Sequence, residues 1–120
     1  MRRLEKIIQE LSQEEGFDTL VLTDSTGLPI AMAGDDKTAQ GLAAIVTEIL
    51  RVSKQIDRRL ELGKADNFIL LSGETRRGVL CQQFVAGGRT MALVVVVQYG
   101  ATYWKSVSAA TRRIQEVLGT

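Results

Sequence analysis

The sequence predicts a three-layer α/β domain of α+β type, one antiparallel sheet with helices on both faces, and three observations predict it. The first is Met91–Val97 (MALVVVV), an unbroken apolar run ending in four valines. It is too short to cross a membrane and too β-branched to favour a helix, so it reads as a strand. Side chains alternate faces along a strand, so this one needs apolar cover on both sides, and a layer of helix on each face supplies it. The second is a three-four apolar periodicity in three separate segments, near the start, in the middle and at the end of the chain. The third is the shortness of the links between the remaining apolar segments. Short links make hairpins, and hairpins make an antiparallel sheet.

Taken in order, Leu4, Ile7, Ile8 and Leu11 fall on one helical face opposite Glu5, Lys6, Gln9 and Glu10, and Gly16 is placed to end that helix. Phe17–Thr23 (FDTLVLT) is β-rich. Asp24-Ser25-Thr26-Gly27 is turn chemistry, and Leu28–Ala33 (LPIAMA) returns as a second strand. Pro29 has no N–H to give to a ladder, which places this strand at a sheet edge.

Asp35 or Asp36 can cap the next helix, the longest element. Ala39, Leu42, Val46, Ile49, Ser53, Ile56 and Leu60 follow a strict three-four spacing over about 33 Å. One such seam suffices to dock on a sheet. Ile45 and Val52 add a second apolar line one step round, so the helix can hold its own sheet with one line and another chain with the other.

Leu62-Gly63 is expected to stop the helix, and Lys64–Asn67 is a polar loop into Phe68–Leu71 (FILL), apolar on both faces. Gly73–Gly78 (GETRRG) is a charged hairpin turn, Val79–Val85 a fourth strand with Gln82 and Gln83 on opposite faces, and Ala86-Gly87-Gly88 the turn into Met91–Val97. Beyond Gln98, Tyr99 and Gly100, a last helix carries Trp104, Val107, Thr111, Ile114 and Leu118 on one stripe, with Lys105, Arg112, Arg113 and Glu116 outside.

At 120 residues the chain is expected to form one domain over 1–120, large enough to need neither disulfide nor metal. Its net charge of +1 gives no pull toward nucleic acid or an anionic membrane. The lone cysteine, Cys81, sits in a strand pattern and points to a reducing compartment, so the expected location is cytoplasmic, and no targeting segment interrupts that reading. With no histidine, neither a Ser-His nor a Cys-His nucleophile can be assembled, and no ligand cluster of recognised spacing exists for a metal. GETRRG matches neither phosphate-binding nor dinucleotide glycine patterns. The paired arginines Arg2-Arg3, Arg58-Arg59, Arg76-Arg77 and Arg112-Arg113 read as solvated surface, and Asp24-Ser25-Thr26 as turn bonding. The expectation is a protein that is not an enzyme and carries no cofactor.

The run Gly16–Gly34 (GFDTLVLTDSTGLPIAMAG), with Asp24, Gly27, Leu28, Pro29, Ile30 and Ala31 as D-x-x-G-L-P-I-A, joins Leu42-Ala43-Ala44, Leu62-Gly63 before a strand, and the apolar last strand. In this order and position they resemble the Roadblock/LC7 family, bacterial members included, from about Leu4 to Leu118. The resemblance implies a five-stranded antiparallel sheet in the order 2-1-5-4-3, with the two terminal helices on one face and the long helix on the other. It also implies a non-catalytic dimeric scaffold or regulator that binds a small Ras-like GTPase. The reading from another class is a small-molecule sensor of PAS, GAF or profilin-like type, which would need polar or aromatic residues converging between helix and sheet.

In that strand order Asn67–Leu71 is a free edge with no proline or lysine to discourage pairing. A homodimer is therefore expected to pair Phe68, Ile69, Leu70 and Leu71 with the same strand of a second copy, while Ile45, Ile49, Val52 and Ile56 of the long helices meet. The outer helix surface, with Lys37, Glu48, Gln55, Arg58 and Arg59, becomes the candidate surface for the GTPase. Neither nucleic acid nor direct membrane insertion is expected.

Overall fold

A computed structural model describes residues 2–14, 16–63, 66–98 and 103–119, without the side chains of Arg2, Tyr103 and Trp104. Lys64, Tyr99, Gly100 and the Trp104 side chain, all named in the sequence reading, lie outside the described residues. The elements are α1 (Arg2–Glu14), β1 (Thr19–Asp24), β2 (Pro29–Gly34), α2 (Asp36–Leu60), β3 (Asn67–Leu71), β4 (Arg77–Ala86), β5 (Arg89–Gln98) and α3 (Tyr103–Leu118). Their strands form one antiparallel sheet in the order β2-β1-β5-β4-β3, the predicted order.

β5 is the axis of the molecule. Met91 through Val97 are all buried, and β5 is the middle strand of the five, paired with β1 in register Thr19↔Val96 to Asp24↔Met91 and with β4 in register Arg77↔Gln98 to Ala86↔Arg89. Its alternating side chains feed two cores. Leu93, Val95 and Val97 join Leu20, Leu22 and Leu80 beneath α1 and α3, where Ile8, Val107 and Ile114 are fully buried. Ala92, Val94 and Val96 join Val21 and Cys81 beneath Ala39, Leu42, Val46 and Leu50 of α2. Each such Leu, Ile or Val contributes roughly 1.5–3 kcal/mol on burial.

The terminal helices are held to each other as well as to the sheet. Arg113 reaches Glu10 at 3.0 Å and Glu14 at 3.4 Å, so it bridges α3 to α1 instead of standing on the outer face with Lys105 and Glu116. Gln82, unassigned by its sequence, faces α3: its Oε1 accepts from the Thr111 hydroxyl at 2.8 Å, and its amide donates to Asn67 Oδ1.

The β1–β2 turn is a side-chain-stapled loop. Asp24 Oδ1 accepts from the Thr26 N–H at 2.9 Å, the Thr26 hydroxyl at 2.7 Å and the Leu28 N–H at 3.0 Å. The Thr26 hydroxyl is the largest of the influences that lower the Asp24 carboxyl below its usual range. Gly27 sits at φ +92 against α2, where an added Cβ would meet the backbone of Thr47, whose hydroxyl donates to the Thr26 carbonyl. The turn thus ties β2 to α2.

Candidate functional site

α2 is fixed at its start by Asp35, whose Oδ2 accepts from the N–H and hydroxyl of Thr38 at 2.9 and 2.7 Å. Those bonds, the hydroxyl first, lower its carboxyl pKa. The left-handed residue that ends the helix is Glu61 at φ +53; the expected Leu62-Gly63 stop falls just beyond it, with Gly63 at φ +79. Arg58 and Arg59 occupy the last turn, where cations complement the helix dipole.

The buried line of α2 is Ala39, Leu42, Val46, Leu50 and Ser53. This differs from the strict seam read from the sequence: Leu50 takes the fully buried place, Ile49 and Ile56 are half-buried, and Leu60 is exposed. A straight helix drifts about 20° per heptad against a 3.5-residue repeat, so a strict seam rotates out of contact by about 60° over three heptads. The second line faces outward as expected, with Ile45 at 49% and Val52 at 38% exposure.

β3 is the least covered strand of the sheet. Phe68 alone is half-buried, packed with Ile49 against the α2 core. Ile69, Leu70 and Leu71 are 42%, 61% and 44% exposed. An apolar run on both faces would ordinarily call for helices above and below, but α2 packs over β1 and β2 while α1 and α3 lie against β1, β2, β4 and β5. Of the β3 side chains, only Phe68 is packed against the α2 core.

Between the first half of α2 and the β3–β4 hairpin lies a groove of about 590 Å³. Leu42 and Ile45 form one wall, Leu70, Leu71 and Val79 the other, and Gly41 leaves it open by having no side chain. Arg77 stands in this lining with its guanidinium paired to Asp18 at 3.4 Å. The groove brings together Ile45 of the helix and Leu70 and Leu71 of the strand, residues named separately from the sequence. Val52 and Ile56 lie further along α2, outside it. The contributions of Thr38, Gly41, Thr75 and Val79 were missed, since no local pattern announces which turn a helix will lean against.

The charged residues named for partner recognition do not form one cluster. Lys37 is in the first turn of α2, about 32 Å along the helix from Arg58. Glu48 is exposed and paired with Arg51, whose hydrogen bond lowers its carboxyl pKa. Only Gln55, Arg58 and Arg59 converge, lining a shallow depression of about 340 Å³. Among the described residues, no group of three or more His, Cys, Asp or Glu side chains is placed to hold a metal ion, and no helix is long and apolar enough to cross a membrane. Cys81 is buried under α2, and burial pushes its thiol up to about 11.

The Roadblock/LC7 domain family model matches residues 3–97. No match is found among curated proteins. Among solved structures, Myxococcus xanthus MglB is similar in fold, with a TM-score of 0.75 at 13% identity, covering 96% of this chain and 94% of that one. A Roadblock/LC7 domain from Streptomyces avermitilis gives 0.74 at 15% identity, over 97% and 98% of the two chains. The gliding protein MglB of Thermus thermophilus gives 0.66 at 19% identity, over 98% and 86%.

Proposed function

This chain belongs to the Roadblock/LC7 domain family, and we propose that it acts as a homodimeric, non-catalytic regulator of a small Ras-like GTPase in the cytoplasm. The observation that carries the proposal is the continuity of exposed apolar surface from the β3 edge, across the groove, to Ile45 on α2. Contiguous apolar surface on a folded chain marks an interaction site. A second copy covers β3 and meets α2 along Ile45, Ile49, Val52 and Ile56, and the outward surfaces of the two α2 helices form a platform that engages the GTPase.

Within that platform, Gln55, Arg58 and Arg59 are the contact at the helix end, its positive charge supplied by the two arginines, and Lys37 and Glu48 flank it at a distance. The absence of histidine removes the commonest neutral-pH base, so the protein's effect on GTP hydrolysis is exerted by positioning the partner's own residues. The sensor reading is disfavoured by the groove lining, which has no aromatic side chain, is mainly aliphatic apart from Thr38, Ser72 and Thr75, and has its one cation already paired to Asp18.

The test is calorimetric titration of the protein with small GTPases from the same genome, loaded with GDP or a GTP analogue. Nucleotide-dependent binding that weakens about ten-fold or more with Arg58→Glu and Arg59→Glu supports the proposal, since rim charges act on encounter and register. No binding in either nucleotide state overturns it.

A further inference from the structure

The face of the sheet turned away from α2 is roofed by α1 and α3 only as far as β4. α3 runs along that strand: the Thr111 hydroxyl donates to Gln82 Oε1 at 2.8 Å, the Gln115 amide donates to the Val85 carbonyl at 3.0 Å, and the Gly87 N–H donates to the Gly119 carbonyl. Its other flank is tied to α1 through Arg113. Side chains alternate along a strand, and Phe68 belongs to the α2 core, so Ile69 and Leu71 stand on the α3 face. Both are exposed, one strand further out than β4.

The flank of α3 that overlooks these two side chains is cationic. Three residues back along a helix turns the face by about 60°. From Thr111, seated over β4, the surface therefore passes through Ser108 to Lys105, and from Gln115 it passes to Arg112. Lys105 and Arg112 are exposed, and among the described residues neither enters an ion pair. Glu116 stands further round, toward solvent, and β3 itself carries no charge.

Resting on the homodimer reading above, we infer that this face holds a second partner: one amphipathic α-helix with acidic flanks, lying on the two-fold axis between the two α3 helices. Strands in a sheet are about 4.8 Å apart. With β3 beside its counterpart, the axis falls half a spacing beyond β3, and α3, over β4 and β5, lies roughly 8–9.5 Å from it. The two α3 helices are then about 16–19 Å apart, which is two packing distances of 8–10 Å and admits a single helix. Ile69 and Leu71 of both copies form an apolar floor, and both walls carry Lys105 and Arg112. Walls of like charge repel each other. A helix with its apolar stripe down and carboxylates on both flanks covers the floor and neutralises both walls. This trough lies on the opposite face from the α2 platform, so the two partners are held at once.

The experiment titrates the whole protein, followed by fluorescence anisotropy, with a designed helical peptide of about 16 residues, long enough at about 24 Å to lie along α3. The peptide has leucines at three-four spacing and glutamates on both flanks, and a second peptide has lysine in place of glutamate. The acidic peptide is expected to bind about ten-fold or more tightly than the basic one, at one peptide per two chains, and to lose about ten-fold with Lys105→Glu and Arg112→Glu together. That double variant should leave both the mass in solution and GTPase binding unchanged. Equal binding of the two peptides, or binding indifferent to the charge reversal, overturns the proposal. One peptide per chain removes the helix from the axis and overturns the shared trough. A parent mass of four chains that excludes the peptide assigns the trough to another dimer and overturns the separate partner. A parent protein of single-chain mass overturns the homodimer reading itself, whereas failure of the peptide on an intact dimer overturns the trough alone.

Discussion

The two edges of the sheet are built from opposite materials. At β2, Pro29 removes a donor, a bulge falls between Leu22 and Thr23 of the paired strand, and the Gln9 amide of α1 reaches the Met32 carbonyl at 3.5 Å. α1 and α2 both pack against β2, burying Ala31 and Ala33 and half-burying Ile30 and Met32. At β3 there is no proline and no charge, only Phe68 packs against the α2 core, and three large aliphatic side chains stand exposed. Edges left unprotected are a liability that proteins ordinarily blunt. One edge is closed by several devices and the other is bare, and the proposed homodimer rests on that contrast.

The comparison breaks most sharply on the open side. Ile45→Lys with Leu70→Lys should weaken self-association roughly 1000-fold, about 4 kcal/mol, because unpaired ammonium groups would be buried at the centre of the contact. Both sites are exposed in the single chain, so circular dichroism should show the fold retained while sedimentation shows the dimer lost. On the closed side the sensitivity is to folding. Gly34 ends β2 at φ +100, and a Cβ there would collide with the backbone of Asp18 and Thr19. Gly34→Ala should cost about 3 kcal/mol in chemical denaturation, with no selective effect on association once folded.

A control between the edges is Cys81, in the core beneath α2. Its thiol pKa is raised by burial from an ordinary 9.0 to about 11. The unfolded chain then loses that proton first as pH rises, so stability falls between pH 9 and 11, by about 1.4 kcal/mol per pH unit at most. Cys81→Ala should remove that part of the alkaline loss, and an unchanged slope would contradict the burial. The smallest effect belongs to Leu28→Lys: Leu28 is 65% exposed beside the closed edge, and neither mass nor stability should move by more than about 0.5 kcal/mol.

Much of this contrast is legible in the sequence alone. Pro29 announced a closed edge through its missing donor, and MALVVVV announced the central strand, because each signal is local: a missing N–H, and an apolar run that needs two covered faces. The run FILL carried the same signature as MALVVVV and has the opposite fate, since strand order decides which apolar run receives helices. Periodicity locates the outward line of Ile45 and Val52 but leaves out the buried Leu50 and counts in the exposed Leu60, because a strict seven-residue ruler drifts on a straight helix. The meeting of Ile45 with Leu70 and Leu71, and of Arg113 with Glu10 and Glu14, depends on how distant elements lean together. Nothing within a short stretch of sequence encodes that.

The central claim is that the bare edge is filled by a second copy, and its most direct measurement is the mass in solution by light scattering across micromolar concentrations. A species of twice the 13.2 kDa chain mass, dissociated by Ile45→Lys with Leu70→Lys and untouched by Leu28→Lys, is the predicted result. A single-chain mass throughout that range would contradict it.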